Sequence, residues 1–283
     1  MTQNWMNGVI NMQEQRIESV LQMGKEILKR NDIDIREARL LLAHALKVSV
    51  NELIKMTYCT DEQVGEYLTL LEKRVNNIPF AYIVGHKEFM KLDFIVNENV
   101  LIPRADTEIL VEEALKYRKN KILDMCTGSG CIAISLAYYS NENAEVSAVD
   151  ISEKALKVAQ MNAMLNEVNV SFIHSDLFES IEEKYEMIVS NPPYIKKKAI
   201  ENLQIEVQKE PVIALDGGES GLEFYKRIVP EAKEHLEING VLILEIGYDQ
   251  AEDVKNLLQE CGYRNIRIIK DLDENDRVVI GEI

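Results

Sequence analysis

The sequence predicts an α/β protein, a doubly wound, seven-stranded, mostly parallel sheet whose last strand is antiparallel, preceded by a small bundle of helices. Three observations predict it. From Lys121 onward, short apolar runs alternate with stretches of helical spacing, and strict alternation of strand and helix gives a parallel sheet covered on both faces. The first 78 residues, in contrast, carry only helical spacing and helix-start signals. The last two apolar runs are separated by residues 270–276, too few for a crossover helix, so the final strand is antiparallel to its predecessor.

In chain order, Ile17, Val20, Leu21, Ile27 and Leu28 fall at helical spacing within residues 13–30, and Asn31-Asp32 ends the pattern. Asp34 is placed to accept from the free N–H groups of a second helix carrying Ala38, Leu41, Leu42, Ala45 and Leu46. Ser49 with Glu52, and Thr60 with Gln63, fit the reciprocal capping pattern in which hydroxyl and third-position side chain satisfy the first turn. Residues 1–78 therefore read as four or five helices. Pro79 breaks the pattern, and aromatic and β-branched residues around Gly85 (Tyr82, Ile83, Val84, then Phe89, Leu92, Phe94, Ile95, Val96) predict a hairpin or short extended linker over 79–107. A helix over 108–118 follows, with Thr107 or Asp106 as its cap. Arg104 just ahead places a fixed cation beside free N–H groups, a pairing able to receive a carboxylate.

Residues 108–283 form the sheet domain. The runs 121–125, 145–149, 170–174, 185–190, 241–246, 266–269 and 278–280 read as strands, and 131–139, 152–166, 221–236 and 251–261 as helices.

Composition narrows the function. A chain of 283 residues, 46% hydrophobic and 28% charged, has room for two cores. A net charge of −16 argues against a protein that grips nucleic acid through its phosphates, a mode that needs clustered Lys and Arg. Cys59, Cys126, Cys131 and Cys261 are scattered without a Cys-x-x-Cys pair, so neither a zinc site nor a disulfide framework is expected. With no signal-peptide pattern and no apolar run of membrane-spanning length, the expected location is the cytoplasm, without a membrane partner.

Chemistry concentrates in Ser190-Asn191-Pro192-Pro193-Tyr194, which follows a buried-strand pattern. The two prolines hold φ near −65°, fixing the directions of the Asn191 and Pro192 carbonyls before any ligand arrives. The Asn191 side-chain oxygen and a rigid backbone carbonyl make two acceptors, which suit an –NH2 group with two donors. Tyr194 offers an aromatic face to a planar group. The expected ligand is planar and carries an amino group.

A second constellation lies upstream. Asp124, Cys126, Thr127, Gly128, Ser129 and Gly130 connect the first strand of the sheet to its helix, and the two glycines let the backbone turn sharply and approach a ligand closely. About twenty residues on, Asp150 ends the second strand, where a carboxylate can accept both ribose hydroxyls. The dinucleotide fingerprint is incomplete, with Ala133 at its third glycine, so a pyrophosphate cradle is not formed. Asp124 is placed to accept from an ammonium group. S-adenosyl-L-methionine, with an amino-acid tail and no phosphate, fits these residues better than a nicotinamide cofactor. Asp176 is placed to meet the adenine amino group, with Leu177 against the ring.

These motifs resemble the class I methyltransferases that act on planar nitrogen. Adding Ile102-Pro103-Arg104 with Asp106-Thr107-Glu108, and Glu210-Pro211 with Ala214-Leu215-Asp216-Gly217-Gly218 and Gly221-Leu222, the set is similar to the PrmC/HemK family, the glutamine N-methyltransferases of peptide chain release factors. The resemblance covers nearly the whole chain. It implies that Cys126 to Gly130 and Asp150 bind S-adenosyl-L-methionine, and that Asn191, Pro192, Pro193 and Tyr194 hold the glutamine side chain. It further implies that the substrate glutamine lies in a Gly-Gly-Gln tip of a release factor and that the helical domain helps dock that factor. Leu177 stands where some relatives carry tryptophan, so a weaker adenine contact is expected. Cys126 replaces a glycine common in the loop, with a small effect expected.

The rival readings are a methyltransferase for the exocyclic amine of adenine or guanine in nucleic acid, which can use the same turn, and a catalytically silent adaptor. The only basic cluster, Lys196-Lys197-Lys198, reads as a solvated face and speaks against the first; an intact Asn191 and glycine loop speak against the second. Residues 195–220 read as a lid over the substrate.

Overall fold

The computed structural model describes residues 14–283; the expectation about a signal peptide and the expected start of the first helix at Gln13 fall on residues outside these. The chain divides into two compact units, Met1–Val84 and Gly85–Ile283.

In the first unit, β1 (Glu14–Arg16) leads into α1 (Ile17–Arg30), followed by α2 (Glu37–Ala45), α3 (Val50–Leu53), β2 (Tyr58–Thr60), α4 (Asp61–Val75) and α5 (Phe80–Val84). Val20, Leu28, Leu41, Leu42, Tyr67 and Leu71 are almost fully buried and form its core. Both expected capping boxes are present, at Ser49 ahead of α3 and Thr60 ahead of α4. Asp34 is different: its carboxylate accepts the Arg36 N–H at 2.8 Å and closes the turn before α2 rather than capping the helix. The antiparallel β1–β2 pair was not legible, because three-residue strands are too short to show a period. Residues 82–84 are helical, not extended. Pro79 starts α5 instead of ending regular structure, since its carbonyl accepts from the Tyr82 and Ile83 N–H groups while its own missing N–H costs nothing in a first turn.

The second unit opens with a hairpin, β3 (His86–Phe89) and β4 (Leu92–Ile95). Its two turn residues, Met90 and Lys91, both have positive φ, the requirement of the tight hairpin turn that Asn-Gly ordinarily meets. Glu108 accepts the Met90 N–H at 2.7 Å and helps hold this turn. Then come α6 (Ala105–Leu115), β5 (Lys121–Met125), α7 (Cys131–Tyr139), β6 (Glu145–Asp150), α8 (Glu153–Leu165), β7 (Ser171–His174), β8 (Tyr185–Ser190), α9 (Glu223–His235), β9 (Leu236–Glu245), α10 (Ala251–Glu260), β10 (Arg264–Lys270) and β11 (Asp276–Glu282).

These last strands make one seven-stranded sheet in the order β10-β11-β9-β8-β5-β6-β7. Neighbours from β9 to β7 are parallel, and β11 runs antiparallel between β10 and β9. Side chains alternate between two apolar layers: Ile122, Met187, Val189, Val241 and Ile243 face the core under α6, α7 and α8, whereas Leu123, Met125, Ile188, Leu242 and Leu244 face the core under α9 and α10. Coverage on both faces is why these strands read as nearly continuous apolar runs. The chain proceeds from β5 to β6 and β7 on one side, then returns to β8 on the other. The strand order therefore reverses between β5 and β8, and a crevice opens at their carboxyl ends.

Candidate active site

Met125 ends β5 and Ser190 ends β8, and the Ser190 hydroxyl ties the two by donating to the Met125 carbonyl at 2.6 Å. The loops that leave these ends build a cavity lined by Cys126, Gly128, Asp150, Asp176, Leu177, Asn191 and Pro193 from among the expected residues. Asp124, Thr127, Ser129, Gly130, Pro192 and Tyr194 do not line it.

The glycine loop is held from beneath. Asp124 is completely buried; its Oδ2 accepts from the Thr127 hydroxyl at 2.6 Å and the Ala133 N–H at 3.2 Å. Gly130 has φ +81° and starts α7, and a Cβ there would lie 2.9 Å from Ile134 Cδ1 and 3.0 Å from Ala159 Cβ. The loop thus needs glycine for both conformation and space. Cys126 also occupies the left-handed region, at φ +63°, which accounts for glycine being common at that position in the family it resembles. Burial pushes the Cys126 thiol up, so it stays protonated and is no nucleophile.

Asp150 lies across the mouth of this loop. One oxygen accepts the Gly128 N–H and the other the Ser152 N–H, both at 2.8 Å. Each carboxylate oxygen keeps a further lone pair, so Asp150 remains able to accept two hydroxyls. Burial raises its pKa and these N–H bonds oppose the shift. Asp176 pairs with Arg227 of α9 at 2.9 Å through one oxygen, leaving the other for a ligand. Leu177, at φ +50°, is buried and turned to the cavity beside Val149, Ile151 and Phe224, giving a flat apolar slot.

On the other side stands Asn191. Its Nδ2 donates to the Thr107 hydroxyl oxygen at 3.2 Å. Neither Thr107 nor Asp106 caps α6, which begins at Ala105; Thr107 lies within the first turn, 2% exposed, and serves Asn191 instead. Tyr194 carries a second departure from expectation, because its ring packs in part against the core beneath α9 and its hydroxyl donates to Glu245 Oε1 at 3.4 Å. Arg104 receives a carboxylate from its own chain: it forms an ion pair with Glu210, which is 4% exposed and also accepts the Ile102 N–H at 3.0 Å. That clamp explains the presence of Glu210-Pro211 beyond the strands. It brings Pro211 and Ala214, both within the motifs that carry the resemblance, to the cavity wall together with Ile213, Asn99, Val100 and Leu101, to which sequence spacing assigned no role in the site. The segment 195–220 is ordered by short 3-10 turns and by a bridge between Ile195 and Asp216.

A donor with an amino-acid tail and a ribose fits these residues on one further observation: Asp124 Oδ1 is buried without a hydrogen-bond partner, an acceptor left open. Burial holds the Asp124 carboxyl up at about 7, from 3.8. The folded state therefore takes up a proton between about pH 4 and 7 that the unfolded chain releases, and the stability it contributes is lost as pH rises through that window. Relative to wild type, Asp124→Asn should gain unfolding free energy steadily between pH 4.5 and 7.5, by about 1.4 kcal/mol per unit where the coupling is complete. Chemical denaturation at each pH measures it; parallel curves for the two proteins would overturn the assignment.

Among the described residues no group of His, Cys, Asp or Glu is arranged to hold a metal ion, and no helix is long and apolar enough to cross a membrane.

Comparison with known proteins adds independent findings. A family model described as "Methyltransferase small domain" matches residues 104–210, and one described as "PrmC N-terminal domain" matches residues 19–85. A protein of Thermodesulfovibrio yellowstonii named "Release factor glutamine methyltransferase" is 40% identical over 266 residues, 90% of this chain and 95% of that one. One of the same name from Clostridium acetobutylicum is 40% identical over 280 residues, covering 94% and 98%. Among solved structures, a methyltransferase from Pyrococcus furiosus superimposes with a TM-score of 0.55 at 20% identity over 75% of this chain and 98% of its own, a likeness of fold.

Proposed function

The chain belongs to the release factor glutamine methyltransferase family and methylates a glutamine side-chain amide, and from that premise we propose how the cavity does so, with S-adenosyl-L-methionine as donor and the Gly-Gly-Gln tip of a release factor as substrate. The donor, when bound, supplies a methyl group activated on a sulfonium. In this reading Asp150 accepts its ribose hydroxyls, the free oxygen of Asp176 meets the adenine amino group, and Leu177 and Phe224 cover the ring. The ammonium end lies toward the glycine loop, which Asp124 supports from beneath through Thr127 and Ala133.

An amide nitrogen is a poor nucleophile, because its lone pair is delocalised into the carbonyl. The site's task is orientation and charge. Asn191 Oδ1 and the Pro192 carbonyl accept the two amide hydrogens, which turns the nitrogen's lone-pair face toward the activated carbon. The same two dipoles stabilise positive charge as it grows on nitrogen, and preorganised contacts of this kind are commonly worth roughly 2.7–4 kcal/mol each. Both protons stay on nitrogen while the carbon–nitrogen bond forms and the carbon–sulfur bond breaks; the cationic N-methyl amide, now strongly acidic, then releases one proton to water, so no strong base is needed beside it. We propose further that residues 1–78 dock the release factor and that the protein works in the cytoplasm.

The single observation that supports this most is that Asn191 donates its Nδ2 away from the cavity, to Thr107, so that an acceptor is what it presents. The test is labelled methyl transfer to a purified release factor and to the same factor with its tip glutamine changed to alanine. Label is expected in the first and not the second; equal labelling of both would overturn the reading.

A further inference from the structure

A side chain at the cap position of a helix ordinarily serves that helix, and Ser, Thr, Asp and Asn are favoured there because their short side-chain oxygens reach its free N–H groups. Gln250 stands at the cap of α10 and makes no such bond. Its amide reaches across the fold instead. Nε2 donates to the Tyr194 carbonyl at 3.0 Å and to the Gly221 carbonyl at 3.1 Å, while Oε1 accepts the Gly247 N–H at 2.9 Å. These partners are backbone groups of fixed sense, two acceptors and one donor, so the amide can sit only one way round. It is 3% exposed, and both of its donors are matched.

Glycines on either side show how closely that amide is enclosed. A Cβ at Gly221 would stand 2.6 Å from the Tyr194 oxygen and 2.8 Å from Gln250 Nε2, and one at Gly247 would stand 2.9 Å from Gln250 Oε1. The bond to Tyr194 matters most, because it falls at the end of the turn that carries the two acceptors proposed for the substrate amide. Pro192 and Pro193 bring no N–H with which to tie that turn down. They do make it stiff: both have φ held at about −65°, and Asn191 and Pro192, each followed by proline, are confined to extended ψ. A stiff segment is placed by its ends. Ser190 secures one end, through its hydroxyl on the Met125 carbonyl at 2.6 Å, and Gln250 secures the other.

We propose that Gln250 is a positioning residue for methyl transfer: by holding the Tyr194 carbonyl it sets where the stiff segment from Asn191 to Pro193 presents the Asn191 side chain and the Pro192 carbonyl to the substrate amide. This rests on the proposed roles of those two acceptors. Gln250 does not line the cavity, so it acts through the turn and not on substrate or donor. Its other two partners, Gly221 after the 195–220 segment and Gly247 after β9, anchor the amide to the scaffold.

The test uses the whole chain, a purified release factor and S-adenosyl-L-methionine, with turnover, calorimetric donor binding and thermal unfolding measured on each variant. Gln250→Met keeps the length of the side chain and removes its hydrogen bonds; Gln250→Glu keeps the oxygen that serves Gly247 and sets a second one against the two carbonyls. Each should lower kcat at least about tenfold with donor affinity within about threefold of wild type, since misplacement by about 1 Å can cost on the order of 100-fold in rate. Tyr263→Phe is the control for stability. It removes a buried hydrogen bond, from the Tyr263 hydroxyl to the Val229 carbonyl at 2.9 Å, in the same apolar layer but away from the turn, and should lower the unfolding temperature with kcat unchanged. In the Asn191→Ala background the factor lost on Gln250→Met should shrink, because one of the groups it places is gone, whereas a purely structural role predicts the same factor in both backgrounds. Wild-type kcat in either Gln250 variant, an equal loss of kcat in Tyr263→Phe, an unchanged factor in the Asn191→Ala background, or loss of fold in both Gln250 variants overturns the proposal; if only one of the two folds, that one decides. If wild type itself leaves the release factor unlabelled, the function proposed above fails instead.

Discussion

Asn191→Ala is expected to lower methyl transfer at least roughly 100-fold while leaving donor binding intact. The substitution removes one of two acceptors from the substrate amide and frees the other amide hydrogen to rotate. Loss of a single preorganised contact at a developing charge typically costs two to three orders of magnitude in rate. The backbone should survive, since Pro192 and Pro193 set the turn and Gln250 holds the Tyr194 carbonyl at 3.0 Å whatever side chain stands at 191. Asn191→Asp sharpens the measurement. It keeps the shape but places a carboxylate beside a sulfonium, so donor affinity and turnover should change together, whereas with alanine only turnover should. Steady-state kinetics with calorimetric binding distinguishes the two, and near-normal turnover in Asn191→Ala would remove this residue from the mechanism.

Gly217→Ala, outside the turn, is expected to lower turnover as well, though by less. A Cβ at 217 would stand 2.7 Å from both the carbonyl carbon and Cα of Tyr194, and 2.9 Å from the Pro193 oxygen. These are backbone atoms, so no side chain can swing aside, and the contact lies well inside van der Waals distance. The two segments are also bonded to each other: Ile195 donates to the Leu215 carbonyl at 3.0 Å and Gly217 to the Ile195 carbonyl at 2.8 Å. Relief therefore requires the turn itself to move by several tenths of an ångström, with both proline φ angles resisting. Displacement of a reacting group by about 1 Å can cost on the order of 100-fold in rate, and overpacking of this kind costs about 1–3 kcal/mol of stability. We expect kcat at least tenfold down, with donor affinity less affected because Asp150 and the glycine loop are untouched. Unchanged kcat would mean that the turn does not need its present position.

Much of this arrangement is legible in residue types alone. The alternation of strand and helix, the antiparallel last strand and the two capping boxes follow from periods and short-range side-chain chemistry, which act over a few residues. Asp150, the glycines and Asn191 could be picked out because each occupies a strand end, and strand ends in such sheets share one edge. The hairpin turn at Met90-Lys91 could not be read, since neither residue favours positive φ and Glu108 helps hold the turn from 18 positions away. Residues 82–84 misled for a related reason: β-branched and aromatic types suggest extension, but Pro79 opens a helical turn there.

What the sequence settles by itself, then, is where the strands end and which side chains stand at those ends, because backbone period and proline geometry are local. Which of those side chains face the cavity is settled by packing. Tyr194 turns its hydroxyl to Glu245, Arg104 meets Glu210, and Thr107 serves Asn191 across 84 positions of chain. Each of these partners is buried or half-buried, where an unmatched polar group is expensive, and the chain supplies the match from whichever segment the fold brings alongside. Separation along the sequence carries no trace of that neighbour.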